Sequence, residues 1–155
     1  MSRAPTPGPP PLEDTTVDAL QDALATEHAA LWCYSLVVAF LPAEQLAQAR
    51  GDAQAHRTLR GDLERILTGA GVRPASALPA YSTPQPVVDG PSAAALAVVA
   101  EADVLASWRS VLERTTDRTL RQTALTTMGA GTVRCAQWRA AVGTAPAIPT
   151  FPGRP

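Results

Sequence analysis

The chain has 155 residues and a net charge of -1; 46% of its residues are hydrophobic and only 17% are charged. This length suits a single domain that buries a core without disulfides or metal ions. A net charge this close to zero argues against a dedicated nucleic-acid-binding protein, which needs a basic stripe, and two cysteines are too few for a disulfide scaffold.

The N-terminal segment is rich in proline and lacks the apolar stretch of a signal peptide. We predict a flexible arm over 1–12, a helical domain over 13–142 and a proline-rich tail over 143–155. No uninterrupted run of about 18 apolar residues occurs, so we expect no membrane-spanning segment. We therefore expect a cytoplasmic protein that binds neither nucleic acid nor a membrane.

Proline and glycine divide the domain into four predicted helices. The first begins within Glu13–Thr16 and ends near Leu41, and the second follows Pro42 and ends near Thr68. A connection over 70–91 contains five prolines and few periodic apolar positions. The third helix begins within Asp89–Ser92 and ends near Thr115. The fourth begins after its cap Asp117 and ends before Gly143.

The connections are thus short, long and short. A long connection between two helical hairpins is typical of ferritin-like proteins, whereas an up-down-up-down bundle has three short loops. The sequence therefore predicts an all-α, ferritin-like four-helix bundle with a long crossover between helices 2 and 3.

In each predicted helix, apolar residues at spacings of three and four form a stripe along one face. An ionisable residue lies near the middle of each stripe. Glu27, His56 and Glu101 occupy this position on the first three helices, and the fourth stripe offers Arg134 or Cys135. Buried charges must be paired, hydrogen-bonded or bound to a metal. We therefore predict a buried polar cluster. Its members are Glu27, His56, Glu101 and Arg134.

Carboxylate-bridged di-iron bundles carry one Glu on each of two helices and a Glu-x-x-His pair on each of the other two. Glu27 and Glu101 match the two single glutamates, and His56 matches one histidine. The remaining three ligand positions of the template are occupied by Ala53, Gly131 and Arg134. Half of the di-iron ligand set is therefore missing.

Four segments resemble the actinobacterial ferritin-like proteins of uncharacterised function. They are LQDALATEHAALWCY, AHRTLRGDL, PAYSTPQPV and VRCAQWR, and the resemblance extends over most of residues 15–152, including the FPG end. It implies a ferritin-like four-helix bundle with no established activity. The missing ligands at Ala53, Gly131 and Arg134 argue against iron storage and oxygen chemistry.

Two functions remain open from the sequence. The first is a non-catalytic binding or assembly protein without a cofactor, in which Arg134 supplies the positive charge that a metal would bring. The alternative is a metal-binding protein or metalloenzyme that holds iron, manganese or zinc at a reduced site of Glu27, His56 and Glu101.

Two kinds of partner are also expected. Small residues at Ala53, Gly129 and Gly131 suggest space for a small-molecule ligand in the bundle core. Alanine-rich outer helix faces suggest that two bundles pair as a homodimer.

Other polar residues are assigned no chemistry. His28 lies about 100° around the helix from Glu27, so we expect it at the surface or between helices. Asp52 is expected to face solvent. Cys33 and Cys135 are expected to be small buried residues, and the three tryptophans to be core or interface anchors.

Overall fold

The computed structural model describes residues 11–154, and it contains four helices with no strand among those residues. The helices are α1 (Asp14–Phe40), α2 (Ala43–Gly69), α3 (Gly90–Arg114) and α4 (Arg118–Ala141). The predicted all-α bundle with a long crossover is confirmed. Most of the predicted N-terminal arm, residues 1–10, lies outside the described residues.

Local sequence signals explain where the second pair of helices begins. The Asp89 side chain accepts a hydrogen bond from the Ser92 backbone N–H, and the Ser92 hydroxyl accepts one from the Asp89 N–H, which is a capping box. Asp117 caps α4 in the same way, because its carboxylate accepts from the Leu120 N–H at 2.8 Å. Both helix starts are therefore fixed by residues adjacent to the helices themselves.

The crossover runs back along the bundle, so α3 begins at the same end as α2. Gly90 marks this return, since a Cβ there would lie 3.2 Å from the Pro42 side chain. At the other end, the Thr16 hydroxyl donates to the Arg114 carbonyl oxygen at 2.8 Å. Helix α1 is thus antiparallel to both α2 and α3, and α4 packs against α3.

Side chains of α1 hold the crossover in place. The Gln21 amide donates to the Arg73 carbonyl and accepts from the Ala75 N–H, each at 2.8 Å. Two turns further along α1, His28 Nε2 lies 3.1 Å from the Ala75 carbonyl oxygen. His28 is 9% exposed, so it is a buried contact between a helix and the crossover rather than a surface residue.

The apolar character of α1 suits its central position. By length and composition, this helix is long and apolar enough to cross a membrane, and it is the one such helix in the part of the chain described. In the bundle it packs against both α2 and α3 and buries Leu20, Leu24 and Val37 completely. Polar side chains on the same helix meet partners from other helices in the centre of the bundle, as described below.

The C-terminal tail folds back onto the helices. Gly153 has φ +80°, and a Cβ there would lie 2.8 Å from the carbonyl oxygen of Leu105 on α3. The Arg139 guanidinium donates to the Pro146 carbonyl oxygen at 2.8 Å. The glycine permits a close approach that a larger residue would prevent.

Candidate functional site

The structure brings Glu27, His56, Glu101 and Arg134 together in the centre of the bundle, one residue from each helix. Glu27, His56 and Glu101 are fully buried, and Arg134 is 9% exposed. His56 joins the two carboxylates, since its Nδ1 lies 2.7 Å from Glu27 Oε2 and its Nε2 lies 2.9 Å from Glu101 Oε1. A histidine with both nitrogens on carboxylates must be protonated to donate at both.

Arg134 completes the quartet from α4. Its Nε donates to both carboxylate oxygens of Glu101, at 3.2 and 3.1 Å. Its Nη2 is buried and has no hydrogen-bond partner among residues 11–154. The Glu101 carboxylate is thus placed between two cations, the imidazolium of His56 and the guanidinium of Arg134.

Small residues near the quartet differ in what surrounds them. At Gly131, a Cβ would lie 3.2 Å from Leu105 Cδ2 and 3.4 Å from Arg134 Nη2, so these side chains take the space that the glycine leaves. Gly129 is exposed on the outer face of α4. Ala53 lines a groove between α1 and α2.

Aromatic side chains supply further hydrogen bonds that the sequence did not predict. The Trp108 indole Nε1 donates to Glu27 Oε1 at 2.9 Å, and the Tyr34 hydroxyl donates to Glu101 Oε1 at 2.7 Å. Each carboxylate therefore receives one aromatic donor in addition to the histidine. The sequence could indicate only that a buried tryptophan or tyrosine usually needs a polar partner. It could not indicate which residue that partner is.

Asp52 extends the network, and its predicted exposure to solvent is wrong. Its side chain is 8% exposed, and its Oδ2 accepts from the Trp138 indole at 2.9 Å. The Tyr34 hydroxyl lies 3.4 Å from the same oxygen. Asp52 precedes His56 by one turn, so it lies on the same face of α2 and points into the bundle.

The environment of His56 favours its charged form. Burial by itself would lower the pKa of His56, but the hydrogen bonds and negative charges of Glu101 and Glu27 outweigh it and raise the pKa to about 9. The pKa of Glu101 is lowered despite burial, because His56 donates to it and both His56 and Arg134 are positive. At neutral pH the two carboxylates of the quartet are balanced by two cations.

Burial shifts the pKa values of two groups beside the quartet upward. Burial raises the pKa of Asp52 above its usual value, and the negative charge of Glu101 adds to the effect against the Trp138 hydrogen bond. Burial and the same two carboxylates raise the pKa of Tyr34, which therefore stays a phenol that donates its proton. Both shifts oppose further negative charge beside Glu101.

The quartet does not have the chemistry of a di-iron site. A metal ligand must offer a lone pair to the ion, but both ring nitrogens of His56 are engaged with carboxylates. The Arg134 guanidinium lies against Glu101, where it would repel a cation. Within residues 11–154, no group of three or more His, Cys, Asp or Glu side chains is arranged to hold a metal ion.

The two cysteines are free and poorly suited to nucleophilic chemistry. Burial raises the pKa of the Cys33 thiol to about 11, with a smaller contribution from Asp103. Burial also raises the pKa of Cys135. Since the thiolate is the nucleophile, both thiols are largely unreactive at neutral pH.

Comparisons with known proteins identify relatives without an assigned activity. Residues 19–155 match a family model described as "Domain of unknown function (DUF4439)". The chain is also similar to the crystal structure of a conserved hypothetical protein, rv2844, from Mycobacterium tuberculosis. The two are 32% identical with a TM-score of 0.81, over 89% of this chain and 97% of that one. No curated protein matches the chain.

Proposed function

The chain belongs to the DUF4439 family, and we propose that it is a metal-free member of the ferritin-like superfamily that acts as a non-catalytic binding or assembly protein. In this proposal an ion-pair network occupies the centre of the bundle, where di-iron relatives bind metal. The observation that carries it is the position of His56, whose two nitrogens each contact a buried carboxylate.

The charges of the network support this replacement. Two carboxylates in a bundle core repel each other unless a cation lies between them. His56 lies between Glu27 and Glu101, and Arg134 contacts Glu101 from the other side. The guanidinium fits a carboxylate with fixed donors, so the network needs no metal to balance its charge.

The departures from the di-iron ligand set point the same way. Ala53 and Gly131 carry no ligand atoms, and Arg134 carries a permanent positive charge where the template has a histidine. Leu105 and Arg134 surround Gly131, so the glycine belongs to a packed core. We attribute these three residues to a bundle that has exchanged metal coordination for packing and ion pairing.

The burial of the network supports a non-catalytic role. A general acid or base must come within hydrogen-bond distance of its substrate. Glu27, His56 and Glu101 have no exposed surface, and their hydrogen bonds are made to one another and to Trp108, Tyr34 and Arg134. These groups are therefore suited to holding the four helices in register.

The assembly part of the proposal rests on α4. Leu125 and Val133 are 53% and 56% exposed on its outer face, and no charged residue occurs over 122–133. An uncharged helix face with exposed apolar side chains suits a twofold contact with a second copy. We propose a homodimer on this basis, which light scattering of the purified protein measures directly.

Metal analysis tests the proposal. The chain is purified without a histidine tag and without a chelator, and bound iron, manganese and zinc are quantified by mass spectrometry. We expect far less than one metal per chain and an unfolding temperature that EDTA leaves unchanged.

The reduced-site alternative predicts the opposite result. Stoichiometric metal that is lost in Glu27→Ala and His56→Ala, but kept in the control Glu44→Ala, would overturn the proposal. Glu44 suits this control because it is exposed in the first turn of α2, away from the network.

A further inference from the structure

An open groove of about 540 Å³ runs between α1 and α2, outside the buried network. The second half of α1 forms one wall, with Leu31 and Val38 as its apolar ends. These two residues are seven positions apart, so the wall is about 10 Å long at a rise of about 1.5 Å per residue. The volume falls in the range of about 300–1,000 Å³ that is usual for small-molecule sites.

Positive charge is concentrated on the opposite wall. Arg50 and Arg57 of α2 both line the groove and are exposed, and neither forms an ion pair with any residue in the described part of the chain. The facing helix contributes no negative charge, because residues 28–43 contain no Asp or Glu. The groove therefore combines an apolar wall with a cationic rim.

One end of this rim is organised to hold an anion. The Arg57 guanidinium donates to the Gln54 side-chain oxygen at 3.3 Å, and both side chains line the groove. The remaining guanidinium N–H groups and the Gln54 amide N–H groups are then donors at one place. A guanidinium with a neighbouring amide matches the two oxygens of a carboxylate.

The floor of the groove is apolar and is tied to the bundle core. It consists of Ala53 and Tyr34, which are 5% and 1% exposed. The Tyr34 hydroxyl donates to Glu101, and its ring centroid lies 5.3 Å from that of His56. Because this floor is buried, the accessible apolar surface of the groove is that of Leu31 and Val38, which are half-buried.

We propose that the groove binds a small amphipathic carboxylate, with its carboxylate held by Arg57 and Gln54 and its alkyl chain lying along Leu31 and Val38. The inference rests on the proposed function of a binding protein and names the class of ligand for it. The two arginines would repel a cationic ligand, and a fully polar ligand would leave the apolar wall without contacts.

Calorimetric titration with decanoate below its micelle concentration tests this site. We expect saturable one-to-one binding, with no binding of acetate, which lacks the chain. Decanol, which lacks the charge, should bind at least tenfold more weakly. Arg57→Gln should weaken decanoate binding about tenfold, or about 1.4 kcal/mol.

Two further variants make the result specific to the groove. Arg65→Gln removes the same charge from an exposed position on the same helix outside the groove, and should leave binding unchanged. Ser35→Phe places a large side chain into the groove from an exposed position and should abolish binding while the helical circular dichroism is retained.

Decanoate binding that persists in both Arg57→Gln and Ser35→Phe would overturn the inference, as would equal affinity for decanol or the absence of saturable binding. These results are independent of metal content. A metal-free protein that fails to bind decanoate refutes the ligand class alone, whereas stoichiometric metal refutes the proposed function.

Discussion

Raising the pH above neutrality should destabilise the bundle through His56. The pKa of this residue is about 9 in the folded chain, against 6.5 for an unperturbed histidine. Because the folded-state pKa is the higher one, the stability that it contributes is fully present below pH 6.5 and is lost as the pH rises through about 9. At about 1.4 kcal/mol per pH unit, the loss over this interval is about 3 kcal/mol.

Urea unfolding across this pH interval measures the effect. We expect the free energy of unfolding to fall by about 1.4 kcal/mol per pH unit, since the folded state keeps one proton that the unfolded state has released. His28→Gln should retain this slope, because His28 contacts the crossover and not the two carboxylates. His56→Gln should be less stable at pH 6.5, and its stability should be nearly independent of pH up to about 8, where the unfolded-state thiols begin to titrate.

Two results would refute the reasoning. One is a flat stability profile in the wild type, and the other is a wild-type slope that persists in His56→Gln. Nuclear magnetic resonance of the His56 ring in the folded wild type decides the question even where the variant fails to fold. A titration midpoint near 6.5 would show that the carboxylates do not hold the proton.

Two substitutions probe the other charges of the network. Arg134→Gln should lower the free energy of unfolding in urea by about 3–5 kcal/mol, because it removes a cation from buried Glu101. The exposed control Arg118→Gln should change it by less than about 0.5 kcal/mol. Equal effects of the two substitutions would contradict the ion-pair assignment. Asp52→Asn should stay within about 1 kcal/mol of the wild type at neutral pH, because the amide oxygen still accepts from Trp138. Asp52→Ala should cost about 1–3 kcal/mol by leaving that indole N–H without an acceptor. An asparagine variant as unstable as the alanine variant would show that the charge of Asp52 is required.

The sequence predicted the helical architecture well because its signals are local. Capping residues such as Asp89 and Asp117 lie next to the helices that they start, and the prolines of the crossover exclude helix where none forms. Spacings of three and four residues also place Glu27, His56 and Glu101 on the inward faces of their helices. These inferences need no knowledge of which helices are neighbours.

The partners of the site residues required that knowledge. Asp52 was expected in solvent because it lies at the edge of the apolar stripe of α2. Its acceptor role depends on Trp138, which is 86 residues away. His28 was expected at the surface or between helices, but it contacts the crossover 47 residues further along the chain. Such contacts follow from the arrangement of the helices, and no periodicity in a single helix encodes them.

The division of the quartet between the two hairpins has a consequence for folding. The α1–α2 hairpin carries the pair Glu27 and His56, and the α3–α4 hairpin carries the pair Glu101 and Arg134. Each hairpin can therefore balance its own quartet charges before it meets the other hairpin. The contact between His56 and Glu101 then joins two charge-balanced pairs. Docking of the hairpins therefore adds no net charge from the quartet to the core, and a chain nicked within the crossover retains a matched pair in each fragment.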